Sequence, residues 1–391
     1  MNKKEISEIR KQFTPANCAI SRICGCYVDH EKNKKFETKS AFLTLPEEEE
    51  FKYFDIFKHT LGGTLGKHLV NMEFPLEQEM PGGTQEFLLK LRNTELQDDE
   101  LVSTFYDKII EHYIYDENYY IILIYSSYDI PGKTSDNLEM FDASDEVYSY
   151  LLCSICPVKM AKACLSYNQE ENCMKDHIRD WLVEMPVNGF LFPAFNDRST
   201  DLHSLLFFAK KPEEAQDLLI ENVFGSTIPL TPKTQQETFQ GIIESSLGED
   251  ADYELVRDLY ENIADLVEET KEAPDPLQLT KPEMRQLLEN SGATEEQVES
   301  FDRTYDEMAG EQTALQATNI TNPKSFEIST PNIQIKVDPT CTDLIETRII
   351  DGRQCLVITV DDHVEINGMN VRTIRRNQNK GQEDSPQDIS E

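Results

Sequence analysis

The chain has 391 residues, enough for two or three domains with separate cores. Its 37 basic and 73 acidic residues leave a net charge of −36, a field that repels nucleic-acid phosphates and anionic membrane surfaces and so speaks against direct nucleic-acid binding. Residues 1–6 hold no apolar run of the signal-peptide kind, and no stretch approaches the length of a membrane span. A cytoplasmic protein without membrane contact is expected, with its nine cysteines as reduced thiols.

Residues 3–12 read as a short helix with Ile6 and Ile9 on one side. Two extended runs, Cys18 to Tyr27 and Phe36 to Leu43, read as a hairpin with the charged tip Asp29-His30-Glu31-Lys32-Asn33. An acidic helix follows from Pro46, its first-turn carboxylates suiting the helix dipole, with Phe51, Phe54 and Phe57 expected inside. Gly62-Gly63-Thr64-Leu65-Gly66-Lys67-His68 departs from a phosphate loop at Leu61 and His68, has no strand before it, and reads as a helix end and turn.

Past Pro81-Gly82-Gly83, residues 99–114 carry seven apolar side chains from Leu101 to Tyr113 at helical spacing. Tyr119 to Tyr125 reads as a central strand, and Val147 to Val158 as another that Pro157 ends. His177 and Trp181 stand one helical turn apart in the connection that follows. The last hairpin has arms Gly189 to Phe195 and Leu202 to Ala209. The fold class expected is α+β: a largely antiparallel mixed sheet with helices over residues 1–210.

Residues 211–310 read as an acidic helical segment, with 25 acidic against 7 basic residues and so half the net charge of the chain. Pro212 suits the first turn of a helix. Thr280-Lys281-Pro282-Glu283 and Thr294-Glu295-Glu296-Gln297 have the form of capping boxes. The helical pair around Ser291-Gly292 is too acidic for a DNA-reading helix-turn-helix. Residues 320–374 read as a small antiparallel meander, with hairpin signals at Asp351-Gly352 and Asn367-Gly368. A disordered tail is expected over 375–391.

Three functional readings follow. The concentrated charge and the absence of a complete catalytic motif favour a non-enzymatic interaction or regulatory protein with a protein partner, a basic one matching that charge. The tip Asn196-Asp197-Arg198-Ser199-Thr200-Asp201 with His203 is the richest polar cluster. Asp197, Arg198, Asp201 and His203 are the types that hold a divalent ion and a phosphate in a hydrolase or phosphoesterase, and also those that hairpin loops prefer. Zinc would accept four of Cys153, Cys156, Cys164, Cys173 and His177. On one strand, however, Cys153 and Cys156 face opposite sides unless the chain turns at Pro157. No cofactor is otherwise expected.

Arg22-Ile23-Cys24-Gly25-Cys26-Tyr27-Val28-Asp29, Tyr128-Asp129-Ile130-Pro131-Gly132-Lys133, Gly189 to Arg198 and Glu346 to Arg353 resemble, with nearly the whole chain, a bacterial family of anaerobic Gram-positive species, domain of unknown function 4317. That resemblance implies a bacterial, cytoplasmic protein. It implies no activity, ligand or site residue.

Overall fold

The computed structural model describes residues 1–133, 139–140, 146–177, 179–214, 216–226, 229–248, 251–311, 313–322, 325–360, 364–366 and 368–371. Its frame is an eight-stranded antiparallel sheet: β1 (Ile20–Val28), β2 (Lys34–Ala41), β3 (Leu69–Glu73), β4 (Tyr119–Ile130), β5 (Glu146–Met160), β6 (Trp181–Val183), β7 (Asn188–Phe192) and β8 (Ser204–Ala209). The order is β2-β1-β4-β5-β7-β8-β3, with β6 beside the far end of β5. The central pair runs in register from Tyr119 opposite Pro157 to Ile130 opposite Glu146. Both strands are apolar on both sides because both faces of the sheet are covered.

The two-residue period divides the side chains between two cores. On one face Cys24, Cys26, Ile121, Leu123 and Cys153 pack with two helices, α3 (Thr84–Asn93) and α4 (Asp99–His112). On the other, Ile23, Tyr120, Ile122, Ile124, Leu152 and Cys156 meet α1 (Lys3–Arg10) and α2 (Glu47–Thr60). Within α2, Phe54, Phe57 and Thr60 are buried, whereas Phe51 is half-exposed on the outer side, against expectation. The β3 strand and α3 lack a strong local signal. Tertiary partners make them: β8 for β3, and the sheet face under Leu88 and Leu91 for α3.

Pro157 does not end its strand. Its partner Tyr119 is the first residue of β4, so the missing amide falls where that ladder stops. The Pro157 carbonyl accepts from Glu184 N at 2.8 Å, and β5 continues to Met160 against β6. Pro212 likewise begins no helix. The chain turns through 211–214 and becomes helical only at Asp217, where Leu219, Ile220, Val223 and Phe224 join the first core. The hydrophobic core of the sheet thus reaches past residue 210.

Four helices build the third core: α5 (Pro232–Leu247), α6 (Tyr253–Glu269), α7 (Lys281–Asn290) and α8 (Glu295–Met308). Phe239, Ile242, Leu259, Ile263, Leu288, Phe301 and Tyr305 fill it. Both capping boxes form. Gln316 Nε2 donates to Leu65 O at 3.2 Å and Asn319 Nδ2 to Gly66 O at 3.2 Å, joining this unit to the loop before β3. Beyond it, among the described residues, the strands form three separate hairpins, 326–337, 345–358 and the pair of 364–366 with 369–371, with no pairing between them where a single meander was expected. Alternation and turns specify each pair locally but give the hairpins no reason to join. The tail expected from 375 lies outside the described residues. Among the described residues no helix is long and apolar enough to cross a membrane.

Candidate functional site

The polar hairpin tip is a clamp. Residues 194–196 pair with 199–201, and Asp197 and Arg198 turn the chain with φ of 50° and 57°. Asn196 Nδ2 donates to Asp201 Oδ2 at 2.6 Å and His203 N to Asp201 Oδ1 at 2.9 Å, and the Ser204 hydroxyl donates to Asp201 as well. Burial opposes ionisation of Asp201, but these donors outweigh it and hold the carboxyl below its ordinary value. His203 Nδ1 lies 2.8 Å from Glu79 Oε1, a contact that raises its pKa, on a side chain 75% exposed. Arg198 Nη2 pairs with Glu8 Oε1 at 3.1 Å, and Asp197 is exposed. Asp197, Asp201 and His203 have different surroundings and do not converge on one point.

Nor do the zinc candidates come together. Cys153 and Cys156 are buried in the cores on opposite faces of the sheet, where loss of solvent raises both thiols. Cys164 is exposed and Cys173 half-buried, on a hairpin where His177 N donates to Cys164 O at 2.9 Å. Among the described residues no three His, Cys, Asp or Glu side chains are grouped to hold a metal ion. Trp181 opens β6 rather than standing a helical turn from His177, because the extension of β5 past Pro157 gives it a strand partner.

A concave feature lies elsewhere, on the face of the sheet that α2 covers in part. Beside α2 a row of side chains runs across the strands. Phe36 on β2 stands opposite Tyr27 on β1, Tyr27 opposite Tyr120 on β4, and Tyr120 opposite Cys156 on β5. Two residues along β5, Val158 stands opposite Val183 on β6. Two cavities of about 390 and 540 Å³ share Glu49, Tyr53, Tyr120 and Val183 as walls, so they form one groove between α2 and this row. Phe36 and Trp181 line the larger cavity, and both are half-exposed.

The groove is built with polar handles on an aromatic surface. The rings of Tyr27 and Phe36 lie 5.7 Å apart, and those of Phe36 and Tyr120 6.5 Å. Tyr120 Oη meets Thr38 Oγ1 at 3.2 Å, and the Tyr27 hydroxyl accepts from Asn118 Nδ2 at 2.8 Å. Burial raises the pKa of Tyr53, with the Tyr120 hydroxyl beside it adding to the effect, so the phenol keeps its proton at neutral pH. Glu49, Asp55 and Lys52 stand at the rim. Among the described residues none of Glu47 to Glu50, in the first turn of α2, forms an ion pair.

The sequence reading puts Tyr27, Phe36 and Tyr120 on strands and Trp181 a helical turn from His177, and does not single out Tyr53. The one local signal was Phe36, an aromatic residue within the charged run Lys34-Lys35-Phe36-Glu37-Thr38-Lys39. Rings with hydroxyl donors on a concave surface are suited to recognition: each brings a large apolar area, little rotamer entropy and a polar tip.

A comparison with curated proteins finds no match. A match over residues 1–369 covers the sheet, the helical unit and nearly all the hairpins beyond it, and by it the chain belongs to the family described as Domain of unknown function (DUF4317).

Proposed function

We propose that the chain is a non-enzymatic binding protein of the bacterial cytoplasm, whose aromatic groove receives an exposed segment of a basic protein partner. One observation carries the reading: Phe36 and Trp181, both half-exposed, line a concave surface that already holds the hydroxyls of Tyr53 and Tyr120. Solvent-facing aromatic residues in a groove are the usual anchors of protein recognition. The glutamates at the start of α2, in no ion pair among the described residues, and the net charge of −36 favour a partner of opposite sign.

The test compares capture from native bacterial lysate by the full wild-type chain and by Phe36→Ala and Tyr53→Ala variants. A basic protein retained by wild type and lost from both variants supports the reading. Equal retention by all three, or by none, removes it.

A further inference from the structure

We infer that the hairpin of Leu165–Asn168 with Cys173–Asp176 is a dimerisation arm, whose Leu165–Asn168 edge pairs antiparallel with the same edge of a second copy of this chain. The inference concerns a surface outside the groove and does not depend on what the groove takes.

The arm continues the sheet outward. Val158 pairs with Val183 and Met160 with Trp181. Ala161 N then donates to Asp180 O at 2.8 Å, and His177 N to Cys164 O at 2.9 Å. Leu165 opposite Asp176 and Asn168 opposite Cys173 keep the same register out to the turn. Here the ribbon has two strands only, and among the described residues both of its outer edges are unpaired. A two-stranded ribbon is marginal in water, and a bare edge is a template for another strand. The register of Tyr167 with Met174 puts Leu165, Tyr167 and Met174 on one face, and each is more than half exposed.

Charge and order along the edge select a second copy. A net charge of −36 opposes self-association, yet from Lys159 to Asp180 four basic residues balance four acidic ones. Two copies can therefore approach through their arms without local repulsion. The side chains of the Leu165–Asn168 edge are self-complementary about Ser166. A two-fold axis at that residue sets Leu165 of each copy opposite Tyr167 of the other, and Lys162 opposite Glu170. Both charges are available for this, since among the described residues neither Lys162 nor Glu170 forms an ion pair. The outer edge of Cys173–Asp176 is less suited, because its one cation, Lys175, is already taken by Glu171. Pairing in this register makes a four-stranded ribbon with Leu165, Tyr167 and Met174 of both copies on one side.

Sedimentation of the full chain reads the assembly. Wild type should pass from one chain mass to two as concentration rises. Lys162→Glu and Glu170→Lys should each weaken the dimer about tenfold, because each sets like charges opposite one another twice. The combined swap Lys162→Glu/Glu170→Lys should restore it, which a misfolded arm would not. A disulfide reads the register. In a Cys164→Ser background, Ser166→Cys should link two chains under mild oxidation, with the bond placed by peptide mapping. Gln169→Cys should not link to itself, because its two copies lie roughly 20 Å apart in this register. A monomer at every concentration overturns the inference, as does a dimer indifferent to both charge reversals. A self-link at position 169 in place of 166 overturns it too. If the Ser166→Cys thiol is captured in lysate by another protein and never by its own copy, the arm serves a foreign strand and the second copy is overturned.

Discussion

Gly25 and the Tyr120 side chain occupy one space. A Cβ on residue 25 would lie 2.5 Å from Tyr120 Cζ and 2.8 Å from Thr38 Oγ1, well inside contact distance. The missing side chain on β1 is what lets the Tyr120 ring cross that strand and bring its hydroxyl to Thr38 on β2. Gly25→Ala should therefore cost about 1–3 kcal/mol through overpacking. The cost should fall sharply in a Tyr120→Ala background, measured by urea unfolding. An equal cost in both backgrounds would mean that Gly25 serves something other than Tyr120.

The buried thiols set an alkaline limit. Burial, the largest cause, raises Cys24 to about 11 and Cys26 to about 12, against 9.0 for a free thiol. Above pH 9 the unfolded chain loses these protons while the folded chain keeps them. The unfolded state then binds fewer protons, and stability falls as pH rises towards 11–12. The paired variant Cys24→Ala/Cys26→Ala should show a shallower fall between pH 8 and 11 in urea titrations. An unchanged slope would assign the fall to the buried tyrosines instead.

Thiol accessibility follows from the same geometry. At neutral pH the exposed Cys164 should react first with an aromatic disulfide reagent. Cys24, Cys26, Cys153 and Cys156 should stay silent until denaturant is added. Peptide mapping of the labelled sites identifies the order, and early labelling of Cys153 would contradict the buried placement.

Asp201 should behave as a clamp. Asp201→Asn exchanges an acceptor of three hydrogen bonds for a side chain that accepts through one oxygen, and should cost about 1 kcal/mol at this partly exposed position. Its folded pKa is lowered, so its contribution is present above the ordinary value of 3.8 and disappears as pH falls through the folded value. The difference in Tm between variant and wild type should therefore shrink below pH 3. The Trp181 emission of Asp201→Asn should equal that of wild type; a shifted spectrum would tie the hairpin tip to the groove.

Thr60 and Ser154 form a buried pair, Oγ to Oγ at 2.6 Å, that fastens α2 to the centre of the sheet. Thr60→Val strands the Ser154 hydroxyl in the core and should cost about 1–3 kcal/mol. The double change Thr60→Val/Ser154→Ala should cost less than the sum of the two single changes. Strict additivity in thermal unfolding would show that the two hydroxyls do not depend on each other.

Features made by near neighbours were legible in the chain itself. The capping boxes at Thr280 and Thr294 need only four consecutive residues, and both form. The hairpin around Asp29 to Asn33 needs two alternating runs and a polar tip. The opposite placement of Cys153 and Cys156 follows from the two-residue period of a strand. Net charge, a sum over residues, needs no fold.

Only the tertiary structure decided which rare side chains share a surface. Phe36, Tyr27, Tyr120 and Trp181 are spread between positions 27 and 181 of the sequence, and the pairing registers of five strands set them side by side. Trp181 became part of a strand because β5 ran on past Pro157 and offered it a partner. The tip at Asp197 to His203 looked like a site because its residues are consecutive, yet the fold gave Arg198, Asp201 and His203 separate neighbours and left Asp197 exposed. Local pattern determines which face a residue takes; register between distant strands determines what stands beside it, and the groove depends on the second.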